Sequence, residues 1–156
     1  MIHKTNAIRI LEKENISHSI HSYDVDESDL SGITVANKIG AEPERVFKTL
    51  VTRGDNSTIN IFCIPVIEEL NLKKAAVASD NKKIEMIKEK ELLPLTGYVK
   101  GGCSPIGMKK KFPTYIDETA LLFDEIYVSA GVRGMQVKLK IEDLISIIDG
   151  RISELV

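Results

Sequence analysis

The sequence predicts an α+β fold with a mostly antiparallel or mixed sheet, and three observations carry that prediction. Residues 46–66 and 125–140 each read as a β-hairpin, with β-branched runs around turn chemistry. Short amphipathic helices lie before, between and after the hairpins. Strands and helices do not alternate as regular βαβ units, which disfavours an all-parallel architecture.

In order along the chain, Thr5 is placed to cap a first helix. Its apolar stripe is Ala7, Ile8 and Leu11, and it runs out near Glu14 and Asn15. Residues 18–23 alternate and predict a strand, whereas 24–31 are acidic and polar without periodicity and read as a loop. Ile33, Val35, Ala36 and Ile39 mark a short helix stopped by Gly40, because glycine takes the left-handed conformation of a helix end without steric cost. Pro43 turns the chain into the strand 46–53, residues 54–57 supply a turn, and 58–66 return as its partner. Asn71 is placed to cap a helix through Leu72, Ala75 and Ala76. A second short helix is expected over 86–92, closed by Pro94. Residues 96–107 hold four glycines and one proline and read as a structured loop. Lys109, Lys110 and Lys111 then lead into a short strand around Tyr115. The second hairpin turns at Gly131 and Gly134, and a closing helix over 141–148 directs Leu144, Ile145 and Ile148 inward.

At 156 residues the chain is expected to form one domain, residues 1–156. A chain of this length buries roughly 70% of its unfolded surface and needs no staples. Its net charge of −2 argues against a nucleic-acid binder working through bulk charge, though a local basic patch is compatible with it. Cys63 and Cys103 form no CxxC motif, and His3, His18 and His21 all lie near the N-terminus. The expectation is therefore no metal and no cofactor. The opening residues lack the apolar core of a signal peptide, and no stretch approaches the roughly 20 apolar residues of a membrane span. A cytoplasmic protein with reduced thiols is expected.

Five features carry chemistry. Alternation places Lys48 on one strand face with Val46 and Leu50, with Phe47 and Val51 opposite, so its ammonium lies among apolar neighbours on either face. It either snorkels into water from an edge or meets an anion or ligand. In the segment Gly101-Gly102-Cys103-Ser104-Pro105, paired glycines let backbone amides approach a ligand while Pro105 stiffens the loop; a simple tight turn is the alternative. Cys103 has no neighbouring histidine and reads as a structural thiol rather than a nucleophile. Ser129, at a strand end before Ala130 and Gly131, either offers a hydroxyl to a site or satisfies the turn. Lys109, Lys110 and Lys111, with Lys100 and Arg133, form either a rim for phosphates or a solvated face.

Over nearly its whole length the chain resembles the YbaK family. The segments KTNAIRILEKENI, VFKTLV, LNLKKAA, KKIEM, LTGYVKGGCSPIGMKKKFPTYID and IYVSAGVRGMQVKLKIEDL occur in the family's order and at its spacings. The resemblance implies a curved mixed sheet, partly closed like a barrel and flanked by helices. It also implies a free-standing deacylase that removes cysteine from tRNA(Pro), related to the editing domain of some prolyl-tRNA synthetases. By that likeness Lys48 matches the family's required lysine, and Gly101 and Ser129 join it in the catalytic set. Tyr23, Ser31, Gly32, Gly102, Cys103, Ser104, Pro105, Ala130 and Gly131 fall to the aminoacyl pocket, and Lys109, Lys110, Lys111 and Arg133 to tRNA. The chain departs from the family at residues 30–32, where relatives often carry an aromatic. It departs again at Val132, where lysine is usual, and at Gln136, where an acid is common.

With no Ser/His/Asp or Cys/His set visible, the protein is expected to supply positioning rather than a nucleophile; the resemblance implies substrate assistance, in which the cysteine thiol of Cys-tRNA attacks its own ester carbonyl. The implied partners are the aminoacyl end of tRNA and, transiently, prolyl-tRNA synthetase. The alternatives are a deacylase for another ester such as Ala-tRNA(Pro), and a non-catalytic module that binds tRNA or synthetase.

Overall fold

The computed structural model describes residues 4–156; His3, counted with the histidines above, lies outside them. The first helix, α1 (Asn6–Lys13), starts where Thr5 accepts a hydrogen bond from the Ile8 amide at 3.2 Å. The same hydroxyl donates to the Ala130 carbonyl, tying the helix start to the second hairpin turn. The other sequence-predicted caps form as well. Gly40 closes α2 (Gly32–Ile39) in the left-handed conformation, and the Asn71 side chain accepts from the Lys73 and Lys74 amides at the start of α3 (Leu72–Ala78).

Eight strands make two sheets among the described residues. The smaller joins β1 (His18–Ser22), β7 (Met135–Lys140) and β6 (Glu125–Ser129) in the order β1-β7-β6, antiparallel throughout. The larger runs β4 (Glu85–Met86), β2 (Phe47–Arg53), β3 (Ile59–Pro65), β5 (Thr114–Asp117) and β8 (Arg151–Ser153). It is mixed, because β3–β5 and β5–β8 pair in parallel. Helices α4 (Glu89–Thr96) and α5 (Ile141–Ile148) complete the α+β architecture.

The expected partial closure into a barrel is not formed. Both sheets end in open edges, and between them a single bridge, Val46 to Tyr127, replaces the continuous ladder that closure requires. The main core cluster nonetheless spans both sheets, Phe47 of β2, Cys63 of β3 and Ile116 of β5 sharing it with the small sheet. Ile8 and Leu11 of α1 and Leu144 of α5 pack on Ile126, Val128, Val137 and Leu139, the apolar face of the small sheet. Phe62, Ile64, Ala75 and Leu155 fill a second cluster behind the large sheet. A third, smaller cluster of Ala36, Val46, Val66 and Tyr127 fills the seam between the sheets under α2.

Two elements differ from the sequence reading. Met86 lies in β4 rather than a helix, and α4 begins at Glu89 and runs through Pro94 instead of stopping before it. Pro94 is the sixth residue of this eight-residue helix and lacks only the one amide that would reach the carbonyl four residues back, and Gly97 ends the helix in the left-handed conformation soon after. The strand β8 was not expected. Its parallel pairing with β5 is followed by a bond from the Leu155 amide to the fully buried Asp117 carboxylate at 2.9 Å. Among the described residues no helix is long and apolar enough to cross a membrane.

Candidate active site

One cavity of about 590 Å³ opens where the two sheets, the glycine loop and the start of α2 meet. That size lies within the usual range for small-molecule sites. Lys48, Gly101, Cys103 and Ser129 all line it, and so do Ser31 and Gly32. Residues 98 positions apart in sequence thus share one wall.

Each arrives for a local reason. Lys48 is held on β2 by its pairing with Ile64, while Phe47 and Val51 on the opposite face are buried. Lys48 itself is half-buried, and its ammonium makes no hydrogen bond or ion pair with the described residues. Ser31 caps α2 by accepting from the Thr34 amide at 3.4 Å. A side chain at Gly32 would place its Cβ 2.3 Å from Cγ1 of Val66, so only glycine lets the helix start sit this close to the end of β3. Ser129 lies on β6 directly across from Gln136 on β7, and both face the cavity.

The glycine loop folds against the second hairpin turn. The Gly102 amide donates to the Val99 carbonyl at 2.9 Å and is therefore already used. A Cβ on Gly102 would lie 2.9 Å from the Arg133 amide nitrogen, against backbone that cannot swing aside. The Arg133 guanidinium fastens the same region, donating to the Lys100 carbonyl and to Glu27, each at 2.6 Å.

Several predicted residues stand behind the cavity or away from it. Gly102, Ser104 and Pro105 are buried under the loop, where the Ser104 hydroxyl accepts from the Ile106 amide at 3.2 Å. Ala130 is fully buried, and Gly131 donates its amide to the Ser129 hydroxyl oxygen at 3.2 Å; both support Ser129 from below. Tyr23 lines a small crevice beside the cavity, which it shares with Gly101 and Leu30. Lys109, Lys110 and Lys111 are exposed and line neither space; Lys111 pairs with Asp149. Arg133 is engaged as described, so its charge is already partnered by Glu27. The far wall, Ile87, Glu89 and Leu92 with Met86, went unnoticed in the sequence, where this stretch reads as an ordinary amphipathic helix.

Electrostatically the cavity holds a cation and no ready nucleophile. Its titratable lining is Lys48, Lys100, Glu89 and Cys103, and no histidine is among it. Burial pushes the Cys103 thiol up to about 12, an effect the Thr96 hydroxyl only partly offsets. Such a thiol stays protonated at neutral pH and is a poor nucleophile. Cys63, beneath it and fully buried, is likewise raised to about 12 by burial. Among the described residues no cluster of three or more His, Cys, Asp or Glu is arranged to hold a metal ion.

Comparison with known proteins identifies this arrangement. Residues 31–147 match the model of the aminoacyl-tRNA editing domain, a span that includes Lys48, Gly101, Cys103, Ser129 and Gln136. The chain belongs to the aminoacyl-tRNA editing domain family. This editing domain is also 47% identical over 152 residues to a protein of Enterococcus faecalis named "Putative Cys-tRNA(Pro)/Cys-tRNA(Cys) deacylase EbsC". The alignment covers 97% of the present chain and 93% of that relative. Two solved structures share the fold. One, titled "Crystal structure of a putative trans-editing enzyme for prolyl tRNA synthetase", has a TM-score of 0.82 at 22% identity, covering 99% of this chain and 98% of that one. The other, titled "Crystal structure of hypothetical protein APE2540", has a TM-score of 0.87 at 14% identity, covering 97% and 99%. The family resemblance read from the ordered sequence segments is borne out.

Proposed function

We propose that this editing domain is a free-standing deacylase that hydrolyses Cys-tRNA(Pro) in the cytoplasm, working beside prolyl-tRNA synthetase as one domain over residues 1–156. The observation that carries the reading is the cavity itself. Lys48, Gly101 and Ser129 converge on it, and the one thiol in its wall is held protonated. The name of the Enterococcus relative supports cysteine as the amino acid removed.

With no activated nucleophile in the wall, the substrate supplies its own. The thiol sulfur of the esterified cysteine attacks its ester carbonyl, a C–S bond forms, and the C–O bond to the tRNA ribose breaks. The thiol proton passes to the departing ribose oxygen, and water opens the resulting four-membered thiolactone to free cysteine. The protein's part is positioning and charge stabilisation. Lys48 carries the one ammonium aimed into the cavity from a sheet, suited to the charge that develops on the leaving oxygen or to the terminal phosphate. The exposed Lys109 and Lys110 are left for tRNA phosphates.

Deacylation of Cys-, Ala- and Pro-tRNA(Pro), with and without prolyl-tRNA synthetase, tests the reading. Turnover of the cysteine ester alone supports it. Turnover of the alanine ester points to a substrate without a thiol and removes substrate assistance. No turnover of any ester leaves a binding module.

A further inference from the structure

Gln136 lines the cavity and is only 6% exposed, yet its side-chain oxygen Oε1 has no hydrogen-bond partner. Among the described residues it is the sole buried side-chain polar atom in that condition. Folded proteins pair nearly all such atoms, and an unpaired buried carbonyl in a ligand cavity marks a place where something else donates.

Its surroundings say what kind of donor. Ser129 is directly opposite on β6, and paired residues of neighbouring strands project from the same face of the sheet. The Ser129 hydroxyl oxygen accepts from the Gly131 amide, which leaves its proton to be donated elsewhere. One rung of the ladder therefore presents an acceptor and a donor side by side, with backbones roughly 5 Å apart. The complementary ligand carries a donor and an acceptor on adjacent atoms, as an α-ammonium and an ester carbonyl do. No buried carboxylate competes for the ammonium. Glu89, the one carboxylate in the lining, is exposed and faces Lys100 at 3.4 Å.

We propose that Gln136 is the α-amino subsite of this cavity, its Oε1 accepting a hydrogen bond from the α-ammonium of the aminoacyl ester while Ser129 donates toward the ester carbonyl. The assignment rests on the aminoacyl-ester reading above. A neutral amide serves here because it orients the ammonium without forming an ion pair with Lys48 across the cavity, leaving that cation to the reacting end. Gln136 is thus a specificity residue for a free amino group and takes no part in bond breaking.

The test compares Cys-tRNA(Pro) with 3-mercaptopropionyl-tRNA(Pro), which keeps the thiol and the ester and lacks the amine. Wild-type protein is expected to reach half-saturation with the cysteine ester at about tenfold lower concentration, the value of one hydrogen bond to a charged group. Gln136→Met is expected to abolish that difference by weakening only the cysteine ester, and Gln136→Glu, which keeps an acceptor, to preserve it. Wild-type protein that hydrolyses both esters with equal half-saturation overturns the subsite and leaves the deacylase reading intact. Equal weakening of both esters in Gln136→Met also overturns it, since a merely structural glutamine acts that way. Failure of wild-type protein to act on either ester removes the deacylase reading and the subsite with it. The wild-type comparison needs no variant, so it decides the matter even where Gln136→Met does not fold.

Discussion

Replacing Lys48 with methionine should separate stability from activity in opposite directions. Methionine keeps the length and apolar stem of lysine and removes the ammonium. Lys48 is half-buried beside apolar strand neighbours and its ammonium has no counter-charge among the described residues, so the fold loses no ion pair with it. Exchanging it for an apolar thioether of similar length is expected to leave the melting temperature unchanged or to raise it by at most about 2–4 °C, the shift that ~1 kcal/mol produces in a chain of this size. The catalytic effect runs the other way. Loss of one group that stabilises developing charge costs about 2.7–4 kcal/mol of transition-state binding, or roughly 10²–10³ in rate. Single-turnover hydrolysis of Cys-tRNA(Pro) measures the rate and thermal melting measures the fold. Lys48→Arg, which trades a compact point charge for a planar fork, should recover only part of the rate. A Lys48→Met protein that melts normally and hydrolyses within about threefold of wild type, far short of the loss expected for a charge-stabilising group, would falsify the assignment of Lys48 to the reaction.

Two further outcomes concern the loop. Cys103→Ser should retain activity within a few-fold. A thiol at about 12 is ionised in about one molecule in 10⁵ at pH 7, too few to serve as nucleophile. For the same reason the pH–rate profile between pH 6 and 9 should show no inflection that disappears in this variant; a folded but inactive Cys103→Ser protein would instead make Cys103 the nucleophile. Gly102→Ala should destabilise by about 1–3 kcal/mol, because its Cβ meets the Arg133 amide nitrogen at 2.9 Å and the Val132 carbonyl carbon at 3.0 Å. Hydrolysis should slow with it as Gly101 is displaced, and an unaltered melt and rate would show that the loop does not depend on this contact.

What was legible in the sequence was mostly local. Thr5, Gly40 and Asn71 announce their helix ends because the bond or backbone conformation each supplies lies within a few residues. The two hairpins are legible for the same reason. Pro94 misleads because the rule against proline assumes a helix long enough to need the lost bond. The three residues of β8 carry no pattern of their own; they are a strand only because β5 lies beside them. In the site, Lys48 is conspicuous as a charge in an apolar strand, whereas Ile87 and Leu92 become cavity wall only through packing between segments distant in sequence. Gln136 shows the limit most clearly. Its position in a strand is readable, but the absence of a partner for its carbonyl exists only in three dimensions.

The single bridge between Val46 and Tyr127 has a mechanical consequence. Lys48 belongs to one sheet and Ser129 with Gln136 to the other, so no continuous ladder of backbone bonds fixes the span across the site. That span is gauged by apolar side chains packed between the sheets, Phe47, Cys63 and Ile116 in the main core and Ala36, Val46, Val66 and Tyr127 in the seam, whose bulk works as a shim between the two plates. The width of the reaction chamber is accordingly tuned by residue volume at positions that bear no catalytic group.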